Sequence, residues 1–136
     1  MRKILCCGFA VAIVTACPMK AADGDVERGR YLLEDVAKCG DCHTPFLENG
    51  QLDKSKWLKG SMLTFKPTAP IPNWKAMSPD ITPNGSVFKE RGEAAFEKFL
   101  ETAVWPDGDR ADPPMPQFHL KPEDAKAVIA YLKTLK

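Results

Sequence analysis

Two cysteines and a histidine form the pattern with the most specific chemistry in this sequence. Cys39-Gly40-Asp41-Cys42-His43 is a C-x-x-C-H motif, the arrangement through which c-type haem is attached to proteins. Each thiol adds to one vinyl group of the porphyrin, and the two intervening residues let both thiols reach the same edge of the ring. The imidazole after Cys42 then lies under the ring, so His43 is the expected axial ligand of the iron. The motif predicts one haem c, bound covalently through Cys39 and Cys42.

Three other uses of this cysteine pair compete with haem attachment: a plain disulfide, a thioredoxin-like redox pair and a zinc site. The zinc site would combine Cys39, Cys42 and His43 with the other histidine, His119. Thioredoxin chemistry belongs to a βαβ setting that this sequence does not predict. Tetrahedral zinc is hard to satisfy when the adjacent Cys42 and His43 bind one metal. The pattern therefore favours haem.

If the iron serves electron transfer, its geometry should change little between oxidation states, so a second protein ligand would be expected on the face opposite His43. Met115 is the candidate, because it lies in Pro113-Pro114-Met115-Pro116, where proline rings restrict the backbone around a flexible thioether. Its soft sulfur would favour ferrous iron and raise the reduction potential relative to a second histidine. The rivals are a histidine that would give a bis-histidine site and two methionines otherwise expected to be packing residues: His119, Met62 and Met77.

Helical periodicity predicts an all-α framework of three or more helices and long loops. Apolar or small residues recur at helical intervals from Asp25 to Lys38, so a helix should run toward Cys39. A stripe of the same period predicts a second helix between Glu93 and Thr102. A third helix should begin near Pro122, with acidic residues in its first turn. No alternating strand pattern of useful length, internal repeat or low-complexity segment is present.

The segment between the first two predicted helices is rich in proline. Residues 44–92 contain Pro45, Pro67, Pro70, Pro72, Pro79 and Pro83. This spacing excludes long regular elements. The segment is nevertheless too apolar for a disordered linker, since it contains Trp57, Leu58, Met62, Leu63, Phe65, Ile71 and Trp74. It is predicted to wrap a hydrophobic object, and a flat cofactor would supply the missing core.

The N-terminal residues read as an export signal rather than as part of the fold. Arg2 and Lys3 precede an uncharged apolar run from Ile4 to Ala16, which is typical of a secretory signal peptide. A transmembrane helix needs about 20 apolar residues, and Pro18 and Lys20 arrive too early for that. We therefore divide the chain into a signal peptide, residues 1–22, and a folded domain, residues 23–136.

The cleavage site is open between two alternatives. Val14-Thr15-Ala16-Cys17 resembles the lipobox of bacterial lipoproteins, in which the cysteine becomes the lipidated first residue, so Cys17 is a candidate membrane anchor. Ordinary cleavage near Ala16, Ala21 or Ala22 would instead leave Cys17 incidental or discard it. In either case the protein is expected in the periplasm.

Charge gives no reason to propose a nucleic-acid partner. The sequence has 19 Lys and Arg against 18 Asp and Glu, a net charge of +1. Loss of Arg2 and Lys3 with the signal changes the balance to −1, and loss of Lys20 as well changes it to −2. A near-neutral chain without a basic block lacks the electrostatic footprint of nucleic-acid binding.

Short motifs accompany C-x-x-C-H in a fixed order along the chain: Arg28-Gly29-Arg30-Tyr31-Leu32, Thr44-Pro45, Ser78-Pro79-Asp80-Ile81-Thr82-Pro83, Pro114-Met115-Pro116, Phe118-His119-Leu120 and Ala130-Tyr131-Leu132. With them, residues 25–136 resemble the class I cytochrome c family, in particular the monohaem domains that serve periplasmic dehydrogenases such as alcohol dehydrogenases. The resemblance implies a cytochrome c fold in which the first and last helices cross and the methionine loop precedes the last helix. Gly29 and Tyr131 are expected near that crossing.

Two features depart from the relatives in dehydrogenase complexes. Those relatives often carry several such domains, whereas this sequence has one haem motif, and Asp80 stands where asparagine is common. The nearby Thr82-Pro83-Asn84-Gly85 is a turn by composition.

The expected function is outer-sphere transfer of one electron at a time, without a catalytic residue. The alternatives are a haem enzyme acting on peroxide and a gas or redox sensor. Both would need an iron with a coordination position that Met115 does not occupy or readily leaves. By analogy, the redox partners would be a periplasmic dehydrogenase upstream and a quinol-linked complex or terminal oxidase of a respiratory chain downstream.

Overall fold

Helix α1, Asp23–Tyr31, opens the part of the chain that the structure, a computed structural model, describes: residues 23–135. The helix continues as a wider π-helical turn over Leu32–Val36. It stops at Lys38, whose φ of 54° lies in the left-handed region and breaks the helix just before the cysteine motif. The helix predicted over 25–38 is therefore present over most of its length. The signal peptide and lipid anchor predicted within residues 1–22 lie outside the described residues.

Three further helices follow. Helix α2, Cys39–His43, carries the cysteine motif. Helix α3, Glu93–Thr102, has the predicted bounds and follows a π-helical turn over Val87–Arg91. Helix α4, Pro122–Leu132, starts at the predicted proline, without a side-chain cap. Within residues 23–135, no helix has the length and apolar character needed to cross a bilayer.

The crossing of α1 and α4 depends on a glycine. A Cβ atom at Gly29 would lie 1.9 Å from the Ala127 carbonyl oxygen and 3.0 Å from the Tyr131 Cβ. No larger residue fits where the two backbones approach this closely. The Tyr131 hydroxyl donates a hydrogen bond to the Glu34 carboxylate across the same contact. The two residues expected at the crossing are both found there, and Tyr131 is buried rather than half-exposed.

Helix α3 packs its apolar stripe against α4 and builds the rest of the core. Phe96, Phe99 and Leu100 are buried there, as are Val128 and Leu132 of α4. Trp105, just after α3, stacks on Phe99 with ring centroids 4.1 Å apart. This aromatic group forms one wall of the cavity described below.

The proline-rich segment contains a small hairpin that the sequence did not predict. Strand β1, Ser61–Met62, pairs antiparallel with β2, Met77–Ser78, with Met62 opposite Met77. The Leu63 N–H donates to the Ala76 carbonyl, 2.8 Å away, and closes the base of the loop 63–76. A single 3₁₀ turn, Lys54–Lys56, precedes the hairpin.

The segment wraps the hydrophobic interior only in part. Leu58 is fully buried, and Leu63 lines the cavity. Met62, Phe65 and Ile71 are 69%, 49% and 43% exposed, so the prediction is wrong for these three side chains. They face solvent, and only residues near the two ends of the loop, Leu63 and Lys75, contribute to the cavity lining.

The predicted turn at residues 82–85 is present. The Gly85 N–H donates to the Thr82 carbonyl at 2.9 Å, and Asp80 Oδ1 accepts a hydrogen bond from the Thr82 N–H at 2.7 Å. An asparagine Oδ1 could accept the same bond, so Asp80 preserves the turn chemistry of the residue common in relatives.

Burial and the Glu34 hydrogen bond raise the pKa of Tyr131 from 10.0 to about 12. Because the folded state disfavours the phenolate, the stabilisation is complete below pH 10 and is lost as the pH rises through about 12. In unfolding titrations by denaturant, Tyr131→Phe should therefore reduce the loss of stability between these pH values. Tyr31→Phe is the control, since Tyr31 is exposed. An unchanged pH profile in Tyr131→Phe would contradict the assignment.

Candidate cofactor site

Helix α2 presents both cysteines of the motif to one cavity. Cys39 and Cys42 are half-buried, carry free thiols and line the cavity wall. Between them Gly40 packs under the ring of Trp57, where an added Cβ would lie 2.3 Å from the ring. The motif's glycine therefore lets α2 pack directly on that tryptophan.

The thiols are neutral at ordinary pH. Burial raises the pKa of Cys39 from 9.0 to about 12, and burial, followed by the Asp41 carboxylate, raises the pKa of Cys42. Metal sites such as zinc bind cysteine as thiolate. This environment favours chemistry of the protonated thiol and disfavours a thiolate metal site.

His43 has one ring nitrogen fixed by the backbone. The side chain is 4% exposed, and Nδ1 lies 2.8 Å from the Pro79 carbonyl oxygen. A carbonyl only accepts, so Nδ1 carries the proton and Nε2 keeps a lone pair. Burial lowers the pKa of His43, partly opposed by this hydrogen bond, and keeps the ring neutral. A neutral imidazole with a fixed Nδ1–H is the form that binds a metal through Nε2.

The base of the hairpin anchors the motif. Ser78 Oγ donates to the Cys42 carbonyl at 2.6 Å, and the Gly60 N–H donates to the His43 carbonyl at 2.8 Å. Just after α2, the hydroxyl oxygen of buried Thr44 accepts from the Leu58 N–H at 3.0 Å. These bonds satisfy polar groups at the C-terminal end of α2 and hold the motif against the proline-rich segment.

The cavity has a volume of about 540 Å³, within the range of sites that enclose a small organic group. Its lining is largely apolar, with side chains from α1's continuation, α3, α4, the hairpin and the methionine loop. The charged residues in the lining are Lys38, Lys75, Arg110 and Asp112. An apolar cavity with an excess of basic side chains fits a flat apolar ring with carboxylate substituents, which describes haem.

Met115 lines this cavity and is half-buried against the core. Its N–H donates to the Asp112 carbonyl at 3.0 Å, and the Lys75 N–H donates to the Pro113 carbonyl at 2.8 Å. The methionine loop is therefore tied to the end of the hairpin loop. The peptide bond between Pro113 and Pro114 is cis.

The rival ligands are less well positioned. His119 is exposed and Met62 is 69% exposed, and neither lines the cavity. Met77 does line it but is 64% exposed and lies two residues from Pro79, whose carbonyl holds His43. The zinc alternative required His119 at the cysteine motif. Within residues 23–135, no three His, Cys, Asp or Glu side chains are grouped so that they could bind a metal ion together.

The basic residues of the cavity are absent from the site predicted from the sequence. Lys38 directly precedes the motif, whereas Lys75 and Arg110 come from distant loops. Arg110 is positioned by a bridge to Val104 that closes the turn after α3. Only the placement of Lys38 could have been inferred from its spacing to Cys39.

Comparisons with known proteins agree with this geometry. The cytochrome c family model matches residues 26–136. A protein of Cereibacter sphaeroides described as "Diheme cytochrome c-type" is 36% identical over 125 residues, which cover 85% of this chain and 38% of the relative. The fructose dehydrogenase cytochrome subunit of Gluconobacter japonicus is 28% identical over 117 residues, covering 82% of this chain and 22% of that protein.

This chain thus spans about two fifths of the first relative's length and about one fifth of the second's. The resemblance inferred from the ordered motifs is confirmed, including its link to dehydrogenase-associated cytochromes. The family model covers most of the chain, including the motif helix and the methionine loop. The chain belongs to the cytochrome c family of electron carriers.

Proposed function

We propose that this chain is a single-haem c-type cytochrome that transfers one electron at a time between protein partners. Cys39 and Cys42 attach the haem covalently, and His43 and Met115 are its axial ligands. The proposal deepens the family assignment, which establishes electron transfer but neither the number of haems nor the ligands.

One observation carries the proposal: both cysteines, His43 and Met115 line the same apolar cavity. The hydrogen bond from His43 Nδ1 to the Pro79 carbonyl leaves Nε2 as the ligating atom. Met77, the other methionine in the lining, lies two residues from Pro79, whose carbonyl holds His43. This favours Met115 as the ligand that approaches the opposite face.

When bound, haem supplies an iron that alternates between Fe(II) and Fe(III) without breaking ligand bonds. The chain's contribution is to set how easily that change occurs. Met115 offers a soft sulfur that stabilises the ferrous state, and the apolar lining disfavours the extra positive charge of the ferric state. Lys38, Lys75 and Arg110 lie where they can neutralise propionates.

The motif count supports a single haem. The printed sequence contains one C-x-x-C-H, and it matches 38% of a relative described as diheme. One haem in this chain is consistent with alignment to a single haem domain of that longer protein.

The resemblance supports a proposal for the partners, and the N-terminal sequence supports one for the location. The match to a dehydrogenase cytochrome subunit supports a periplasmic dehydrogenase as electron donor. A quinol-linked complex or terminal oxidase of a respiratory chain is the proposed acceptor. The apolar run of residues 4–16 supports export to the periplasm, with Cys17 as a candidate lipid anchor.

Expression in a host with haem-attachment machinery tests covalent binding. Wild-type protein should give a c-type absorption spectrum and retain haem after denaturation and solvent extraction. Cys39→Ala/Cys42→Ala should lose essentially all extraction-resistant haem, because no other thiol lines the cavity within the described residues. Intact mass and haem-stained denaturing gels provide the measurement.

Cys17→Ala is the matched control, since it removes a cysteine outside the motif and should keep one covalent haem. A wild-type mass without haem would refute the proposal. Two haems per chain would refute the single-haem assignment.

A further inference from the structure

The cavity reaches the surface beside the hairpin. Most of its lining residues are buried or half-buried, and those that are exposed mark its mouth: Lys38, Lys75, Met77, Pro79, Arg110 and Pro116. Cys42, one of the two proposed attachment points, is half-buried and is hydrogen-bonded to Ser78 of β2. The hairpin therefore borders the mouth of the cavity proposed to hold the haem.

The hairpin presents apolar side chains to solvent at this mouth. Met62 and Met77 are directly opposite each other in the antiparallel pair, so their side chains lie on the same face, and they are 69% and 64% exposed. Phe65, held edge-on against Trp74 with centroids 5.8 Å apart, and Ile71 add further exposed apolar area. We call this group, together with the lysines that border it, the hairpin surface: Lys59, Met62, Phe65, Lys66, Ile71, Lys75 and Met77.

Such a surface is typical of a protein interface. Isolated exposed hydrophobic residues are ordinary, but a cluster bordered by charge marks a contact site. Methionine is flexible and polarizable, and it suits contacts that form and dissociate rapidly with more than one partner. Both properties suit a carrier that has to meet a donor and an acceptor in turn.

The charge distribution indicates what kind of partner docks there. Residues 54–79 hold five lysines and no aspartate or glutamate, whereas the rest of residues 23–135 holds ten basic and 18 acidic residues. The near-neutral total conceals a basic segment on an otherwise acidic domain. Oppositely charged surfaces attract, and the field orients the molecules before contact.

Nearby acids offset only part of this charge. Lys75 pairs with Asp112 at 3.3 Å, and Lys56 with Asp53 at 3.7 Å. Lys59 and Lys66 are exposed and form no ion pair with the described residues. These two lysines retain their full attraction for an external anionic surface.

We propose that the hairpin surface is the docking site for redox proteins whose contact face is acidic around an apolar centre. The inference rests on the proposed function, since docking here brings a partner's cofactor to the edge of the haem nearest Cys42. One electron then passes between the two cofactors, and no bond is made or broken.

Gold electrodes coated with monolayers that end in carboxylate, hydroxyl or amine test this with the holoprotein. At low salt, the wild type should adsorb and exchange electrons fastest on the carboxylate surface. Lys59→Glu/Lys66→Glu should reduce that rate about tenfold, at the lower end of electrostatic steering effects, and remove most of its salt dependence. Lys89→Glu/Lys126→Glu gives the same change in net charge from exposed lysines outside the hairpin and should retain most of the rate.

A second variant tests the apolar part without changing charge. Met62→Gln/Phe65→Gln should lower adsorption on a mixed carboxylate and methyl monolayer severalfold. Leu47→Gln alters an apolar residue elsewhere whose exposure, 46%, is close to the 49% of Phe65, and it should not. Equal losses in the test and control variants would overturn the proposal, because net charge or general exposure would then explain the effect.

Two further outcomes have defined meanings. Equally tight, hairpin-dependent binding to anionic phospholipid vesicles would overturn the protein partner in favour of a membrane surface. A variant that keeps its absorption spectrum, and its reduction potential on the hydroxyl monolayer, is still a competent electron carrier. Failure of the docking proposal can therefore be distinguished from failure of the proposed electron-transfer function. A wild type without covalent haem would overturn both.

Discussion

Replacing Met115 by alanine is expected to open the iron of the holoprotein. The far-red absorption band of methionine sulfur on ferric haem should disappear, and the reduced protein should bind carbon monoxide rapidly at neutral pH. The reduction potential should fall as well, since soft sulfur stabilises ferrous iron. Met115→His should restore a closed site at a potential lower by on the order of 0.2 V, within the range of about 0.8 V that axial ligands span.

The structure indicates that Met115→Ala should affect the iron ligation and leave the fold largely unchanged. Met115 is half-buried, and both prolines beside it line the cavity. The hydrogen bond from the Lys75 N–H to the Pro113 carbonyl ties its loop to the hairpin independently of the thioether. Removal of the sulfur should therefore leave the loop in place and change the ligation more than the fold.

Controls separate Met115 from its rivals. His119→Ala and Met77→Ala should each keep the far-red band, because His119 does not line the cavity and Met77 is 64% exposed and two residues from Pro79, which holds His43. Loss of the band in Met77→Ala, with the band intact in Met115→Ala, would transfer the ligand to Met77. Rapid carbon monoxide binding by the wild type would instead favour the haem enzyme or sensor alternatives.

The helices could be predicted from the sequence because the patterns that indicate them are local. The apolar stripe of α3 repeats with helical period, and its predicted bounds, 93–102, are those observed. The start of α4 at Pro122 was predictable for an equally local reason. An N–H in the first turn of a helix has no intrahelical acceptor, so proline, which has no N–H, costs no hydrogen bond there. The end of α1 was harder to predict, because nothing in the local composition indicates that Lys38 adopts a left-handed backbone conformation.

The hairpin could not be predicted from the sequence, because the contacts that form it are not local. Its strands are two residues each and lie 14 residues apart, too short for an alternating pattern to be visible. Their pairing is supported by contacts from elsewhere, including Ser78 Oγ to the Cys42 carbonyl. Such contacts depend on the folded arrangement. The exposure of Met62 and Phe65 depends on it too, and both side chains were predicted to be covered.

The candidate site divides in the same way. Spacing alone identified Cys39, Cys42 and His43, because the chemistry of attachment constrains adjacent residues. The proline frame singled out Met115, but only the structure shows that His119, four residues later, lies outside the cavity. The contributions of Lys75 and Arg110 depend on loops whose course is set by tertiary contacts.

Gly29→Ala is expected to destabilise the protein by about 3 kcal/mol, as overpacking of a rigid contact does. In an isolated helix the same change would be favourable by up to about 1 kcal/mol, so the two arguments predict opposite signs. The added methyl would lie 1.9 Å from the Ala127 carbonyl oxygen. That atom is backbone, so no side-chain rotation relieves the overlap, and α1 and α4 have to separate.

Thermal unfolding followed by circular dichroism measures the effect, with an expected fall in Tm of roughly 10 °C or more. Gly108→Ala is the matched control: its added Cβ meets no atom within 4 Å, although its φ of 93° is unfavourable for alanine, so its cost should be about 1 kcal/mol. Ala127→Gly should not rescue Gly29→Ala, since the clashing oxygen belongs to the backbone. A rescue, or a rise in Tm, would mean that the helices do not approach as closely as this crossing requires.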